Sequence, residues 1–157
     1  RKLFEFLVLV GMQSGLSWKI ILNKRESFRK AFDNFNPKKI SGYSKRDVAR
    51  LLGDQGIIRN RRKIESAINN AKRFLETKKE FKTFDSYVWS FVNYKARKNN
   101  FRKWSDIPAV TKESEIMSQD MKKRGFTFVG PTVCYAFMQT VGMVNDHILG
   151  CFRRKEL

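Results

Sequence analysis

The sequence predicts an all-α fold on three observations. Apolar residues recur at three- and four-residue spacing, helix-capping side chains stand in front of those runs, and no segment shows the apolar/polar alternation of a half-buried strand. The clearest local signal is Lys122-Lys123-Arg124-Gly125-Phe126-Thr127-Phe128-Val129-Gly130-Pro131-Thr132. Two glycines there bracket four residues, between a lysine-rich end and an apolar run that begins with proline, which reads as helix, tight hairpin, helix. Gly125 suits a helix C′ position, where positive φ carries no Cβ clash, and Pro131 suits a first helical turn, where its missing N–H would have no partner. Unpaired N–H groups of the hairpin and the following turn would then stand beside three cations, an arrangement that holds a phosphate. The same residues also fit a plain glycine-stopped helix followed by a core helix.

The other elements follow in order. Leu3, Phe4, Leu7 and Val8 sit at helical spacing, and Phe6, Leu9 and Val10 make that segment apolar nearly all round, so it is expected inside, ending near Gly11. Arg1-Lys2 before this run could open a signal peptide, but Glu5 interrupts it and no small-residue cleavage site follows. Met12 to Leu16 reads as a connection. Ser17 can cap a helix carrying Ile20, Ile21, Phe28 and Phe32, and Asn36-Pro37 closes that unit. Ser44 with Asp47 resembles a capping box before Val48, Leu51 and Leu52. After the turn Gly53-Asp54-Gln55-Gly56, Asn60 can cap a long helix with Ile64, Ala67, Ile68, Ala71 and Leu75 on one face and a basic opposite face. Phe84 to Val92 reads as a shorter aromatic helix and Asn93 to Val110 as an irregular, cationic connection. Thr111 or Ser114 begins a helix with Ile116, Met117 and Met121, and beyond the hairpin Cys134, Phe137, Met138 and Val141 line the inside of the next, stopped at Gly142. The total is roughly seven or eight helices in one domain spanning residues 1–157.

Composition narrows the partners. With 33 Lys and Arg against 15 Asp and Glu, the net charge of +18 far exceeds what solubility needs and points to a polyanion. The 14 phenylalanines and 41% hydrophobic content exclude a disordered tail. No continuous apolar span is long enough to cross a bilayer, so no membrane is expected as partner. The two cysteines, Cys134 and Cys151, suggest no disulfide scaffold and fit a reducing cytoplasm, with Cys134 in the core.

Two further features have both an ordinary and a chemical reading. His147 and Cys151, four apart, would share a helical face one turn apart, as ordinary packing or as two ligands of a tetrahedral zinc. Trp18, beside Gly15-Leu16, is a core tryptophan or a stacking wall for a planar ligand with an apolar wedge close by, as in enzymes that extract a base from duplex DNA.

Five co-linear stretches, Leu9-Val10-Gly11-Met12-Gln13-Ser14-Gly15-Leu16-Ser17-Trp18, Gly56-Ile57-Ile58-Arg59-Asn60-Arg61, Val88-Trp89-Ser90-Phe91-Val92-Asn93, Lys123 to Gly130, and Val144-Asn145-Asp146-His147, resemble the DNA-3-methyladenine glycosylase I family over essentially the whole chain. The resemblance implies a helix-hairpin-helix DNA glycosylase fold and a monofunctional enzyme of base-excision repair, which flips N3-methyladenine out of DNA and hydrolyses its N-glycosidic bond. It implies double-stranded DNA containing alkylated bases as partner, a monomer, and a bacterial cytoplasmic setting. It makes Lys123, Arg124, Gly125 and Gly130 the phosphate anchor, Gly15 and Leu16 the loop that fills the vacated space, Trp18 a wall of the base pocket, and His147 with Cys151 two of four ligands of a structural zinc. Loss of Lys123 or Arg124 should then weaken DNA binding about equally across sequences. Thr132 stands where lyase-type relatives carry a lysine nucleophile, and Asn145 where many relatives carry a catalytic aspartate, with Asp146 one residue off register.

Two departures from the family pattern set further expectations. Val10 occupies the place of the glutamate that hydrogen-bonds the methylated base, and a valine can neither accept that bond nor balance the base's charge. The family's preceding segment, with a cysteine, a histidine, a tyrosine and a tryptophan, is absent from this sequence, so half of the zinc site and part of the pocket are expected to be missing. The chain is therefore expected to bind DNA but excise poorly, and the alternative is a non-catalytic DNA-binding or lesion-sensing module. A basic RNA-binding helical protein is a third reading, for which no RNA-recognition motif is found.

Overall fold

In the computed structural model residues 1–156 are described, and among them the regular elements are helices apart from one very short strand pair. Helix α1 (Lys2–Gln13) is its axis: Phe4, Leu7, Val8, Leu9, Val10 and Met12 are all buried, as an all-round apolar helix must be. It runs two residues past the expected stop at Gly11, because a mid-helix glycine weakens a helix without ending it.

The first wall comes from short helices. The unit expected as one helix from Ser17 to Phe32 is two, α2 (Trp18–Asn23) and α3 (Arg25–Ala31), hinged at Lys24. Ser17 caps α2 by accepting the Ile20 N–H at 3.4 Å, and Ile21, Phe28 and Phe32 are buried while Ile20 is exposed. Asn36-Pro37 opens a helix and does not close one: Asn36 Oδ1 accepts the Lys38 N–H at 3.1 Å, Pro37 takes the first position, and α4 (Pro37–Ile40) follows. Before α5 (Lys45–Gly53) the Asp47 carboxylate accepts the Ser44 N–H at 2.8 Å and its hydroxyl at 2.9 Å.

Helix α6 (Arg61–Glu80) is the longest element, capped as expected by Asn60 Oδ1 on the Lys63 N–H at 3.1 Å. Ile64, Ala67, Ile68 and Ala71 are buried, and Phe74 extends the stripe into an aromatic layer, its ring 5.2 Å from Phe4 and 4.3 Å from Phe84. Phe84 begins α7 (Phe84–Ser90). The connection to residue 110 is irregular except at β1 (Arg97–Lys98), which pairs in parallel with β2 (Val144–Asn145). Two-residue strands are too short to show alternation, so the sequence carried no signal for them. Thr111 caps α8 (Lys112–Lys123), in which Met117 and Met121 are buried and Ile116 is exposed. Helix α9 (Pro131–Thr140) turns Cys134, Phe137 and Met138 inward and ends before Gly142 at φ +81°. Burial pushes the Cys134 thiol up to about 12, so it is an inert core group. Among the described residues no helix is long and apolar enough to cross a membrane.

Glu5, Lys63 and Asp146 carry charge inside this frame, and Glu5 ties two helices together. Glu5, only 6% exposed, accepts Arg25 Nε at 2.7 Å and Arg29 Nε at 2.9 Å, tying α1 to α3. Burial alone would raise its carboxyl, but hydrogen bonds from Arg29 and Arg25 outweigh that and hold it below the usual carboxylate range. Glu5→Gln should therefore cost about 1.5–3 kcal/mol at neutral pH, measured by urea unfolding. A carboxyl whose folded pKa is depressed stabilises above its unfolded value and loses that contribution as pH falls through the folded one. The gap between wild type and variant should narrow as pH falls below the ordinary 4.5, and a constant gap would contradict the pairing.

Candidate functional site

Two loops meet beside α1, and each is built by a local rule. The hairpin between α8 and α9 starts with a Schellman closure: Gly125 N–H donates to Lys122 O at 2.9 Å and Phe126 N–H to Met121 O at 3.0 Å, with Gly125 at φ +83°. Phe126 and Val129 are 3% and 2% exposed and pin the turn to the core, each burial contributing about 1.5–3 kcal/mol. The carbonyls point into the protein. Asn70 clasps the Thr127 peptide from both sides, accepting its N–H at 2.9 Å and donating to its carbonyl at 2.8 Å. Asn69 Nδ2 donates to Gly125 O at 2.8 Å and Ser118 Oγ to Val129 O at 2.6 Å.

The amides are left over. Gly130 is the N-cap residue of α9 and Pro131 its first helical residue. Among the described residues no hydrogen bond takes up the N–H of Phe128, Val129, Gly130, Thr132 or Val133. Five unpaired donors and the positive end of a ten-residue helix are together what an anion cradle requires. Of the three expected cations, Lys122 and Lys123 are exposed, and Lys122 lines a groove of about 530 Å³ between the hairpin and Arg62, Glu65 and Asn69 of α6.

Arg124 is different. Its guanidinium grips Glu80 with two bonds of 2.7 and 3.1 Å, donates to Asp120 at 2.7 Å, and lies over the rings of Phe81 and Tyr87 at 4.8 and 5.1 Å. The hydrogen bonds to Glu80 and Asp120 raise its pKa further still. It is a clamp between α6, α7 and α8, and adjacency in sequence to two exposed lysines does not make it a free cation.

The second loop ends α1. Gly15, at φ +78°, turns the chain, Leu16 N–H donates to Gln13 O at 2.6 Å, and Leu16 is 37% exposed. Between this loop and the start of α9 opens a cleft of about 230 Å³ lined by Val10, Gln13, Ser14, Gly15, Leu16, Thr132, Val133 and Ala136. Drug-sized sites run about 300–1,000 Å³, so this one matches a single small ring system. Four residues singled out in the sequence, Val10, Gly15, Leu16 and Thr132, are thus brought together. Gln13 was missed. It lies one turn beyond Val10 on the same face of α1, a relation that ending the helix at Gly11 concealed. None of the lining side chains is ionisable.

Two expected site residues, Trp18 and Asn145, lie outside this cleft, as does the off-register Asp146. Trp18 packs half-buried against the core and is not among the cleft's lining residues. Asn145, 7% exposed on β2, donates to Arg154 O at 3.3 Å and accepts the His147 N–H at 3.2 Å, which makes it a tie for the terminal turn. Asp146 is consumed as well, accepting Tyr135 Oη at 2.5 Å, Asn99 Nδ2 at 2.7 Å and Gln139 Nε2 at 2.8 Å. Burial, then the bond to Asp146, pushes the Tyr135 phenol well above its ordinary value.

His147 and Cys151 come together through a turn and not, as expected, on a helix: Cys151 N–H donates to Ile148 O at 2.9 Å, and Cys151 Sγ lies 3.3 Å from His147 Nδ1. Two ligands of a tetrahedral zinc stand about 3.6 Å apart at ordinary bond lengths, so the pair fits one edge of such a site. Among the described residues no group of three or more His, Cys, Asp and Glu completes it.

This architecture has known counterparts. The family model for methyladenine glycosylase matches residues 1–154. The chain is 46% identical over 151 residues to DNA-3-methyladenine glycosylase 1 of Escherichia coli, covering 96% of this chain and 81% of that protein. A crystal structure of 3-methyladenine DNA glycosylase I superposes with a TM-score of 0.94 at 46% identity, over 97% of this chain and 84% of that one. The Staphylococcus aureus 3-methyladenine DNA glycosylase I, solved for its recognition of 3-methyladenine, gives 0.94 at 31% identity, over 98% and 81%. With a family model spanning nearly the whole chain and a relative of that identity and coverage, the chain belongs to the methyladenine glycosylase family.

Proposed function

We propose that this chain is a monofunctional 3-methyladenine DNA glycosylase in which the hairpin amides grip a DNA phosphate, Leu16 fills the gap left by an extruded nucleotide, and the cleft between Val10 and Thr132 receives the base. The observation that carries this reading is the adjacency of an anion cradle and a base-sized apolar slot, both at the N-terminal end of α9. A helix-hairpin-helix that neutralises phosphate through amides reads no sequence, which suits an enzyme that must inspect all DNA.

The chemistry follows from what the cleft lacks. Among the described residues none lining the cleft is ionisable, so those residues offer neither a general acid for the leaving base nor a lysine for a covalent sugar intermediate. The substrate must arrive activated. A purine methylated at N3 carries a positive charge, so breaking the C1′–N bond releases a neutral base, and water adds to C1′ and gives its proton to solvent. The protein's part is extrusion, positioning and exclusion of other bases. His147 and Cys151 would hold a structural zinc, which, when bound, ties the terminal turn down and supplies no step of the reaction.

Val10 sets the efficiency. It lies where the family resemblance implies a glutamate, and without a charged acceptor the cationic base forgoes about 1.5–3 kcal/mol, on the order of tenfold to a hundredfold in rate or affinity. Val10→Glu should raise single-turnover release of 3-methyladenine from methylated duplex DNA by about that factor, with the free base quantified by chromatography. An unchanged or slower release by a variant that still melts cooperatively would contradict this account of position 10. A lesion-sensing module without excision is the second reading, favoured by the same uncharged cleft, and methylated-duplex binding with no base release in either protein would establish it.

The two cations beside the hairpin should behave differently. Lys123→Ala should weaken duplex binding about equally across sequences and lower its salt slope by about one, leaving the melting temperature in place. Arg124→Ala should instead lower the melting temperature by several degrees, with the salt slope retained, because it breaks the contacts to Glu80 and Asp120. Equal loss of salt slope in both variants would place the two side chains in the same role and refute the distinction.

A further inference from the structure

Helix α6 carries more than core contacts, because its polar residues reach both loops of the site. Lys63 is 9% exposed, and its ammonium donates to Met12 O at 2.8 Å and Ser14 O at 2.6 Å, the carbonyls on which the Gly15–Leu16 loop begins. Ser66, one turn on, donates to Thr127 O at 3.3 Å and meets Thr127 Oγ1 at 2.8 Å. Asn70, a further turn on, clasps the Thr127 peptide from both sides. The three stand on one face of a straight run of helix, so the two attachment points are held about 10 Å apart along its axis.

We infer that Lys63, Ser66 and Asn70 form a brace fixing the spacing between the Gly15–Leu16 loop and the hairpin, with Lys63 positioning the loop for base extrusion and Asn70 positioning the hairpin for phosphate grip. The chemistry at Lys63 argues for a purpose beyond packing. Among the described residues no carboxylate pairs with its ammonium, and burial lowers its pKa. An apolar side chain of similar length would close the same seam without desolvating a charge. What it would lose is the grip on two carbonyls at the end of α1. The seam is also tight: the void among Gly11, Lys63, Ser66, Asn70 and Phe128 is about 10 Å³, at the limit for one water, so neither loop can shift on α6 without breaking these bonds. The inference deepens the glycosylase reading and rests on it for the roles assigned to each loop.

Three variants, Lys63→Met, Lys63→Arg and Asn70→Ala, test it by amide hydrogen exchange, binding to undamaged duplex, and single-turnover release from methylated duplex. Lys63→Met should speed exchange at Gly15 to Ser17 by about tenfold while the hairpin amides keep their protection. Its saturating release rate should fall about tenfold while the half-saturating concentration and the affinity for undamaged DNA hold. Asn70→Ala should do the reverse, loosening Gly125 to Gly130 and weakening undamaged-duplex binding with the saturating rate kept. Lys63→Arg, which retains the donors, should restore loop protection. Loosening of both loops together in either single variant, or no change in exchange in both, overturns the brace. Failure of the wild type to release base or bind duplex removes the glycosylase reading, while the exchange pattern still decides whether the brace exists.

Discussion

The pairing of Asn70 with both sides of the Thr127 peptide is the constraint on which the site depends. A hairpin of six residues has a carbonyl and, in most places, an N–H at every position, and a turn packed on a core usually satisfies both with its neighbours. Here the side chains of α6 and Ser118 draw the carbonyls of Gly125, Thr127 and Val129 inward, which turns the remaining amides into a set of donors with no internal partner among the described residues. The cradle is thus made by removing acceptors. Positive φ at Gly125 and at Phe128 completes it, and the strain of a left-handed phenylalanine is carried by the buried side chains on either side.

The same principle shapes the chemistry. Several ionisable groups near the site are committed elsewhere: Arg124 to Glu80 and Asp120, Asp146 to Tyr135, Asn99 and Gln139, Lys63 to two carbonyls. What remains facing the cleft is Gln13, two hydroxyls and apolar surface. A site of that kind cannot drive a difficult leaving group. It can sort by shape and hold a substrate whose own charge weakens the bond to be broken, which restricts it to bases that alkylation has already activated.

The helical class, the hairpin and most core faces were legible in the sequence because they rest on local rules: Asn60 and Ser17 as caps, Gly125 and Pro131 at the two ends of the turn, the stripe from Ile64 to Ala71. Local rules do not reach residues whose role a distant partner decides. Nothing local distinguishes Arg124 from Lys123, and only the fold brings Glu80 within reach, 44 residues away. Glu5 looked like an interruption of an apolar run until two arginines twenty or more residues on proved to be its partners. Gln13 was hidden by one glycine read as a stop, and Trp18 stands beside the cleft in sequence without lining it. Lys63 appeared as one basic residue among many on α6, since its value lies in carbonyls 49 and 51 residues away.

If the hairpin amides and the α1 end loop engage one DNA duplex together, a crystal structure of this chain bound to a duplex containing an abasic site will show it. A phosphate oxygen should lie within hydrogen-bonding distance of the Gly130 or Thr132 amide, with Leu16 inserted in the base stack and the open sugar facing Val10 and Gln13. A duplex lying across another face, with those amides still in solvent, would contradict it.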